Sequence, residues 1–144
     1  SLLPMARWAK KLMPNGGSIL SLTFIGGEKS VPYYNVMGVA KAALESSVRY
    51  LAAELGPQQI RVNSLSAGPI KTLAGKGIKG FDLLLKINEL RSPMRRNITL
   101  EEVGKSGLYL VSNLSTAVNG ENLHVDGGIH SIAACEADKE LANL

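Results

Sequence analysis

The chain has 144 residues, of which 45% are apolar and 19% are charged, and its formal net charge is +4. This length and apolar content predict one domain over residues 1–144 with a packed core, and they exclude a disordered chain. No apolar run approaches the ~20 residues that a membrane-spanning helix needs. A single cysteine, Cys135, excludes an internal disulfide framework and a cysteine-rich zinc site. We expect a soluble protein with no metal and no membrane partner.

The positive charge is concentrated in one segment. Residues 71–96 hold seven basic and two acidic side chains, a net charge of +5, and the rest of the chain carries −1. Such a patch attracts an acidic partner or a phosphate-bearing ligand, although a solvated helix face has the same composition. Phe81 is the only aromatic residue there, which leaves little for base stacking, so nucleic acid is not expected as a partner.

Apolar periodicity predicts helices that alternate with three strands. In chain order the elements are a helix over 2–13, strand 18–23, helix 36–55, strand 60–65, helix 81–90, a helix from the Thr99–Glu102 capping box to about residue 112, and strand 122–125. Trp8 and Met13 are expected in the core. Alternating elements predict an α/β fold with a parallel sheet. No glycine-rich turn follows a strand to grip a phosphate, so the chain is expected to be the second half of a Rossmann-like doubly wound sheet, without the N-terminal phosphate-binding half.

Tyr34 and Lys41 are the candidate catalytic pair. We expect both on one helix, where seven residues turn through about 700°, so that both side chains emerge from one face, roughly 10.5 Å apart along the axis. A tyrosine hydroxyl can donate to a carbonyl oxygen that becomes an enolate, and an ammonium group favours that charge and binds sugar hydroxyls. On spacing alone the signal is weak, because a tyrosine and a lysine two turns apart on a helix usually serve packing and solvation.

Three stretches of sequence carry a family resemblance. Residues 31–44 (VPYYNVMGVAKAAL), 56–72 (GPQQIRVNSLSAGPIKT) and 124–128 (HVDGG) resemble the bacterial NADH-dependent enoyl-[acyl-carrier-protein] reductases of the short-chain dehydrogenase/reductase superfamily. Ordinary members of that superfamily carry Tyr-x3-Lys. Here the spacing is Tyr-x6-Lys, and Met37 stands four residues before Lys41. The resemblance implies transfer of a hydride from NADH to the β-carbon of a trans-2-enoyl thioester in type II fatty-acid synthesis.

The resemblance also implies roles for individual residues. Tyr34 would hydrogen-bond the thioester carbonyl, and Lys41 would hold the nicotinamide ribose. The main chain of Ile70 would bind the carboxamide. The residues implied to line the cofactor beside it are Lys71, Thr72, Leu73 and Ala74. Phe24 occupies the position of a second family tyrosine and cannot donate a hydrogen bond.

The same resemblance implies partners. Residues 73–90 would form a mobile substrate-binding loop and helix, in which Phe81 covers the acyl chain. Lys79 matches a basic position that the family offers to the acidic acyl carrier protein. The cofactor is expected to be NADH, with NADPH not excluded, and the assembly a cytoplasmic homotetramer. Two alternatives stay open: a catalytically idle homologue or fragment that serves as an oligomerisation or carrier-binding module, and a superfamily relative that reduces another substrate.

Overall fold

Three parallel strands in the order β1–β2–β3 form the sheet. The computed structural model describes residues 2–72 and 80–133. Its strands and α-helices are α1 (Leu2–Ala9), β1 (Gly17–Thr23), α2 (Val36–Leu55), β2 (Ile60–Ala67), α3 (Phe81–Arg91), α4 (Leu100–Val111) and β3 (Asn122–Val125). Periodicity predicts each of these elements, with bounds that differ by a few residues at most, and the predicted α/β class is confirmed. No helix among the described residues is both long enough and apolar enough to cross a bilayer.

The core lies between α2 and the central strand. On α2 the buried apolar positions are Val48, Leu51, Ala52 and Leu55, the spacing of one helix face. They pack with Ile60 and Val62 of β2, which point to the same side of the sheet because they are two residues apart. Ala6 of α1 joins this cluster, and Met13 packs against it as predicted.

The opposite face of the sheet is covered by α4. Arg61 lies between Ile60 and Val62 in the strand, so its side chain points to the other face. It donates to the carbonyl oxygens of Leu110 and Ser112, at 2.9 and 3.0 Å, which lie at the end of α4. A cation is favourable at a helix C-terminus, where carbonyl groups lack helical partners. Helices on both faces are the arrangement of a doubly wound sheet.

The prediction that Trp8 lies in the core is wrong. Its side chain is 66% exposed, and the Lys11 ammonium lies 4.1 Å from the centre of its ring. Only Ala6 of α1 is buried, so the helix contacts the core with a narrow stripe. Periodicity shows that a helix has an apolar face, but not how much of that face its neighbours cover.

Candidate active site

The carboxyl ends of the three strands meet at one edge of the sheet. The pairing aligns Thr23 with Ser66, and Ala67 with Val125, so each strand ends at nearly the same level. The segments that leave these ends begin at Phe24, Gly68 and Asp126. In open α/β sheets this edge is where ligands bind. Every candidate residue described by the structure, apart from Phe81, lies near the end of β1 or directly after β2.

The prediction that Tyr34 lies on the same helix as Lys41 is wrong. Helix α2 begins at Val36, and Tyr34 precedes it in a turn. The neighbouring residues Tyr33 and Asn35 have φ values of 66° and 43°, which a right-handed helix cannot contain. The axial spacing expected for the pair therefore does not apply, and their arrangement depends on the turn.

The side chains of Tyr34 and Lys41 both contact residues at the end of β1. The Tyr34 ring packs edge-on against the Phe24 ring, with centroids 5.0 Å apart. The Lys41 ammonium donates to the carbonyl oxygen of Leu22 at 2.9 Å. Both side chains thus contact the same three-residue stretch, 22–24.

Glycines set the position of the Tyr34 ring. A Cβ at Gly26 would lie 2.4 Å from Cδ1 of Tyr34, and a Cβ at Gly38 would lie 2.7 Å from the carbonyl oxygen of Gly26. The loop after β1 therefore rests directly on the first turns of α2, and the tyrosine ring rests on the loop. Neither close approach is possible with a side chain at those positions. A glycine inside a helical pattern such as Gly38 is a sequence signal for this kind of contact.

The hydroxyl of Tyr34 is suited to donate a proton or hydrogen bond. Burial raises the pKa of this hydroxyl above its ordinary value of 10.0, so it is protonated at neutral pH. Within residues 2–72 and 80–133, no group hydrogen-bonds it. A cavity of about 350 Å³ lies beside the ring, and its wall includes Gly26, Glu28, Lys29 and Val39. No described residue therefore competes with a ligand for this hydroxyl.

The segment after β2 forms a second part of the site. Gly68 is buried and donates from its main-chain nitrogen to the carbonyl oxygen of Val125 at 2.9 Å. A Cβ at Gly68 would lie 3.0 Å from Cα of Asp126, so glycine allows β2 and β3 to end in contact. Pro69 is buried, Ile70 is half-buried, and Lys71 and Thr72 are exposed. The segment therefore runs from the buried end of β2 to the surface at the carboxyl edge of the sheet.

Of the other four predicted residues, the structure describes one. Leu73, Ala74 and Lys79 lie outside the described residues. Phe81 begins α3 and is half-buried, but it does not line the cavity beside Tyr34.

Two carboxylates near the site are absent from the sequence-based predictions. Glu45 of α2 is only 6% exposed, accepts from Thr23 Oγ1 at 2.5 Å, and lies against Gly27. Glu28 lines the cavity and binds side chains of β3. Glu45 has a weak signal in the sequence, since it lies three residues before Val48 on the apolar face of α2. Glu28 has none, because its partners are more than 90 residues away.

The solved structures that superpose on this chain include enoyl reductases. The enoyl-acyl carrier protein reductase of Bacillus cereus, solved with NADP+ and indole naphthyridinone, superposes with a TM-score of 0.87 at 55% identity, over 90% of this chain and 50% of that one. The enoyl-[acyl-carrier-protein] reductase (NADH) of Aquifex aeolicus gives a TM-score of 0.88 at 45% identity, over 93% and 52% of the two chains.

The sequence comparisons agree. Residues 1–130 match the family described as enoyl-(acyl carrier protein) reductase. The chain belongs to the enoyl-(acyl carrier protein) reductase family. Over 132 residues it is 58% identical to the enoyl-[acyl-carrier-protein] reductase [NADPH] FabI of Staphylococcus aureus (strain MRSA252). This match covers 92% of this chain and 52% of that protein. Over 138 residues it is 56% identical to the enoyl-[acyl-carrier-protein] reductase [NADH] 1 of Rhizobium meliloti (strain 1021), covering 96% and 51%.

Membership of the reductase family confirms the resemblance and the Rossmann-like fold inferred from sequence. The chain spans about half the length of the curated relatives it matches. Relatives of both cofactor types, NADH and NADPH, are similar to it to nearly the same degree.

Proposed function

We propose that the protein containing this chain is an enoyl-[acyl-carrier-protein] reductase of type II fatty-acid synthesis, and that Tyr34 and Lys41 act at its reaction centre. The observation that carries the proposal is the convergence of both side chains on the end of β1, beside a cavity, in a chain of this family. The substrate is a trans-2-enoyl thioester. The cofactor, NADH, supplies a hydride to the β-carbon.

The residues that follow β2 fit a nicotinamide cofactor. They lie at the carboxyl edge of parallel strands, and the absence of a Cβ at Gly68 lets main chain reach that edge at close range. The main chain of Ile70 would hold the carboxamide, next to Lys71 and Thr72. Lys41 would bind the ribose hydroxyls through its ammonium group, which in this structure donates to the carbonyl oxygen of Leu22. Leu73 and Ala74 complete this cofactor-binding set in the proposal.

Tyr34 would stabilise negative charge on the substrate. Its protonated hydroxyl donates to the thioester carbonyl oxygen, which becomes the enolate oxygen when the β-carbon is reduced. The positive charge of Lys41 favours the same state. Phe24 supports the tyrosine ring by packing and gives no hydrogen bond, so the single phenol carries the contact to the carbonyl. The α-carbon then takes a proton from solvent, which completes the reduction.

Oxidation of NADH, followed by absorbance with a crotonyl or longer enoyl thioester, tests this function. The longest natural polypeptide that contains the chain is used, together with Tyr34→Phe and, as matched control, Tyr33→Phe, whose ring is 95% exposed. We expect Tyr34→Phe to lower kcat by about 100-fold or more, because one donor to a developing oxyanion is worth about that much, and Tyr33→Phe to leave it unchanged. No turnover by the unsubstituted protein would favour an idle binding module. NADPH in place of NADH measures the cofactor preference.

The partner in this proposal is acyl carrier protein, which would dock on the basic segment 71–96 through Lys79, while Phe81 covers the acyl chain. Charge reversal at Lys79 should raise KM for the carrier-bound substrate and leave KM for a small thioester unchanged. Arg49→Glu, at an exposed position of α2 outside this segment, is the control and should leave both KM values unchanged. Equal effects of Lys79→Glu on both substrates would contradict this docking site. We also propose a cytoplasmic homotetramer, which sedimentation of the purified protein and fractionation of cells would test.

A further inference from the structure

The loop between β1 and α2 carries Tyr34 and has local main-chain hydrogen bonds. The amide of Lys29 donates to the carbonyl oxygen of Ile25 at 2.9 Å, and the amide of Tyr34 donates to that of Val31 at 3.1 Å. Neither bond connects the loop to the sheet.

Side chains make that connection. The carboxylate of Glu28 accepts from Asn122 Nδ2 at 2.5 Å and lies 2.9 Å from His124 Nε2, both on β3. The next residue, Lys29, donates from its ammonium to the main-chain oxygen of His130. Two consecutive residues in the wall of the cavity are therefore bound to β3 and the turn that follows it.

The histidine that contacts Glu28 is itself held in place. Its ring stacks on that of His130, with centroids 4.1 Å apart and planes 17° from parallel. His130 Nδ1 lies 3.0 Å from the carboxylate of Asp126, which is 4% exposed and also accepts from the amide of Gly128 at 2.9 Å. A carboxylate can only accept, so His124 must carry its proton on Nε2 to bond Glu28. The contacts thus run from a buried carboxylate at the sheet edge, through two stacked rings, to the loop.

We propose that Glu28 is a positioning residue: by binding β3 it fixes the loop that carries Tyr34 in the orientation needed for the reaction. This inference rests on the proposed function for its kinetic consequence. It does not require Glu28 to touch substrate or cofactor. Removing the carboxylate would remove both side-chain bonds from the loop to β3 and leave the bond of Lys29 to His130, so the loop would be held less firmly. The Gly68–Thr72 segment, which follows β2, would stay in place.

The kinetic test compares Glu28→Ala with Glu28→Gln in the longest natural polypeptide that contains the chain. Glutamine keeps an oxygen that accepts from Asn122 and His124, so we expect it to remain within about threefold of the unsubstituted kcat. Alanine should lower kcat by about tenfold or more, since displacements near 1 Å have effects of this size or larger. KM for NADH should stay within about twofold, a split that general destabilisation would not produce. Glu54→Ala, at an exposed glutamate of α2, is the matched control.

A second variant removes the histidine that contacts Glu28. His124→Phe keeps an aromatic ring beside His130 but has no Nε2 donor. We expect it to lower kcat by less than Glu28→Ala does, because Asn122 still donates to Glu28. The double variant should be no worse than Glu28→Ala alone, because Glu28→Ala already removes the contact that His124→Phe removes. The proposal is overturned if Glu28→Gln is as impaired as Glu28→Ala, if Glu28→Ala behaves like Glu54→Ala, or if the two losses add fully.

Amide hydrogen exchange separates this proposal from the proposed function, because it needs no substrate. Exchange at residues 30–38 should accelerate in Glu28→Ala and stay near its original rate in Glu28→Gln. If the exchange follows this pattern but the unsubstituted protein does not reduce an enoyl thioester, the proposed function fails and the positioning role of Glu28 in the loop stands. Unchanged exchange in Glu28→Ala would overturn the positioning role whatever the activity.

Discussion

Substitution of Gly26 by alanine should displace Tyr34 without straining the backbone. The new Cβ would lie 2.4 Å from Cδ1 and 2.8 Å from Cε1 of the tyrosine ring. Because carbon atoms pack best at about 3.5–4.0 Å, the ring must recede by roughly 1.1–1.6 Å. Gly26 is not in the left-handed region, where alanine would be strained by conformation alone, so the effect comes from this contact.

The expected result is a loss of about 100-fold in kcat/KM for an enoyl thioester, the size of effect that a displacement of ~1 Å produces in a positioned catalytic group. Spectrophotometric titration of the tyrosines gives a second readout, since a ring displaced toward solvent should lose part of the upward shift in its pKa.

Gly104→Ala is the control for this substitution. Gly104 is an exposed residue of α4, and a Cβ added there would meet open space, with no neighbouring atom within 4 Å. Alanine at this position should therefore leave activity unchanged and stabilise the helix by up to ~1 kcal/mol. Equal activity of Gly26→Ala and Gly104→Ala would refute the assigned role of the Tyr34 ring.

Two further predictions concern Lys41 and Glu102. Lys41→Met should raise KM for NADH by about tenfold or more, because a hydrogen bond to a charged group contributes ~1.5–3 kcal/mol. Lys41→Arg, which keeps the charge, should raise KM less. An unchanged KM in Lys41→Met would exclude the ribose contact. Hydrogen bonds from the Arg96 guanidinium and the Thr99 amide lower the pKa of Glu102 from 4.5 to about 2. The stabilisation that ionised Glu102 gives the fold is therefore present above pH 4.5 and is lost as the pH falls toward 2. Urea unfolding midpoints should decline less over that range in Glu102→Gln than in the unsubstituted protein. Parallel declines in the two proteins would contradict this prediction.

The elements of the fold could be predicted because each has a local signal. The buried face of α2 repeats at helical spacing, and its end is marked by Gly56 and Pro57. The capping box of Thr99 and Glu102, predicted from two residues, is present with both of its hydrogen bonds.

The arrangement of the candidate site was only partly predictable. The pairing of Tyr34 with Lys41 could be proposed from the family resemblance. The turn that places the tyrosine, however, depends on positive φ values at Tyr33 and Asn35, and these residue types give no firm signal for them. The contact of Glu28 with His124 spans 96 positions of the chain, and no local pattern encodes such a distance.

The structure of the full-length protein with NAD+ and an enoyl thioester analogue tests the central claim most directly. We predict that Tyr34 Oη lies within hydrogen-bond distance of the thioester carbonyl oxygen and that Lys41 Nζ lies within that distance of the nicotinamide ribose. A thioester carbonyl bound by other groups, with Tyr34 Oη directed away from it, would contradict the account.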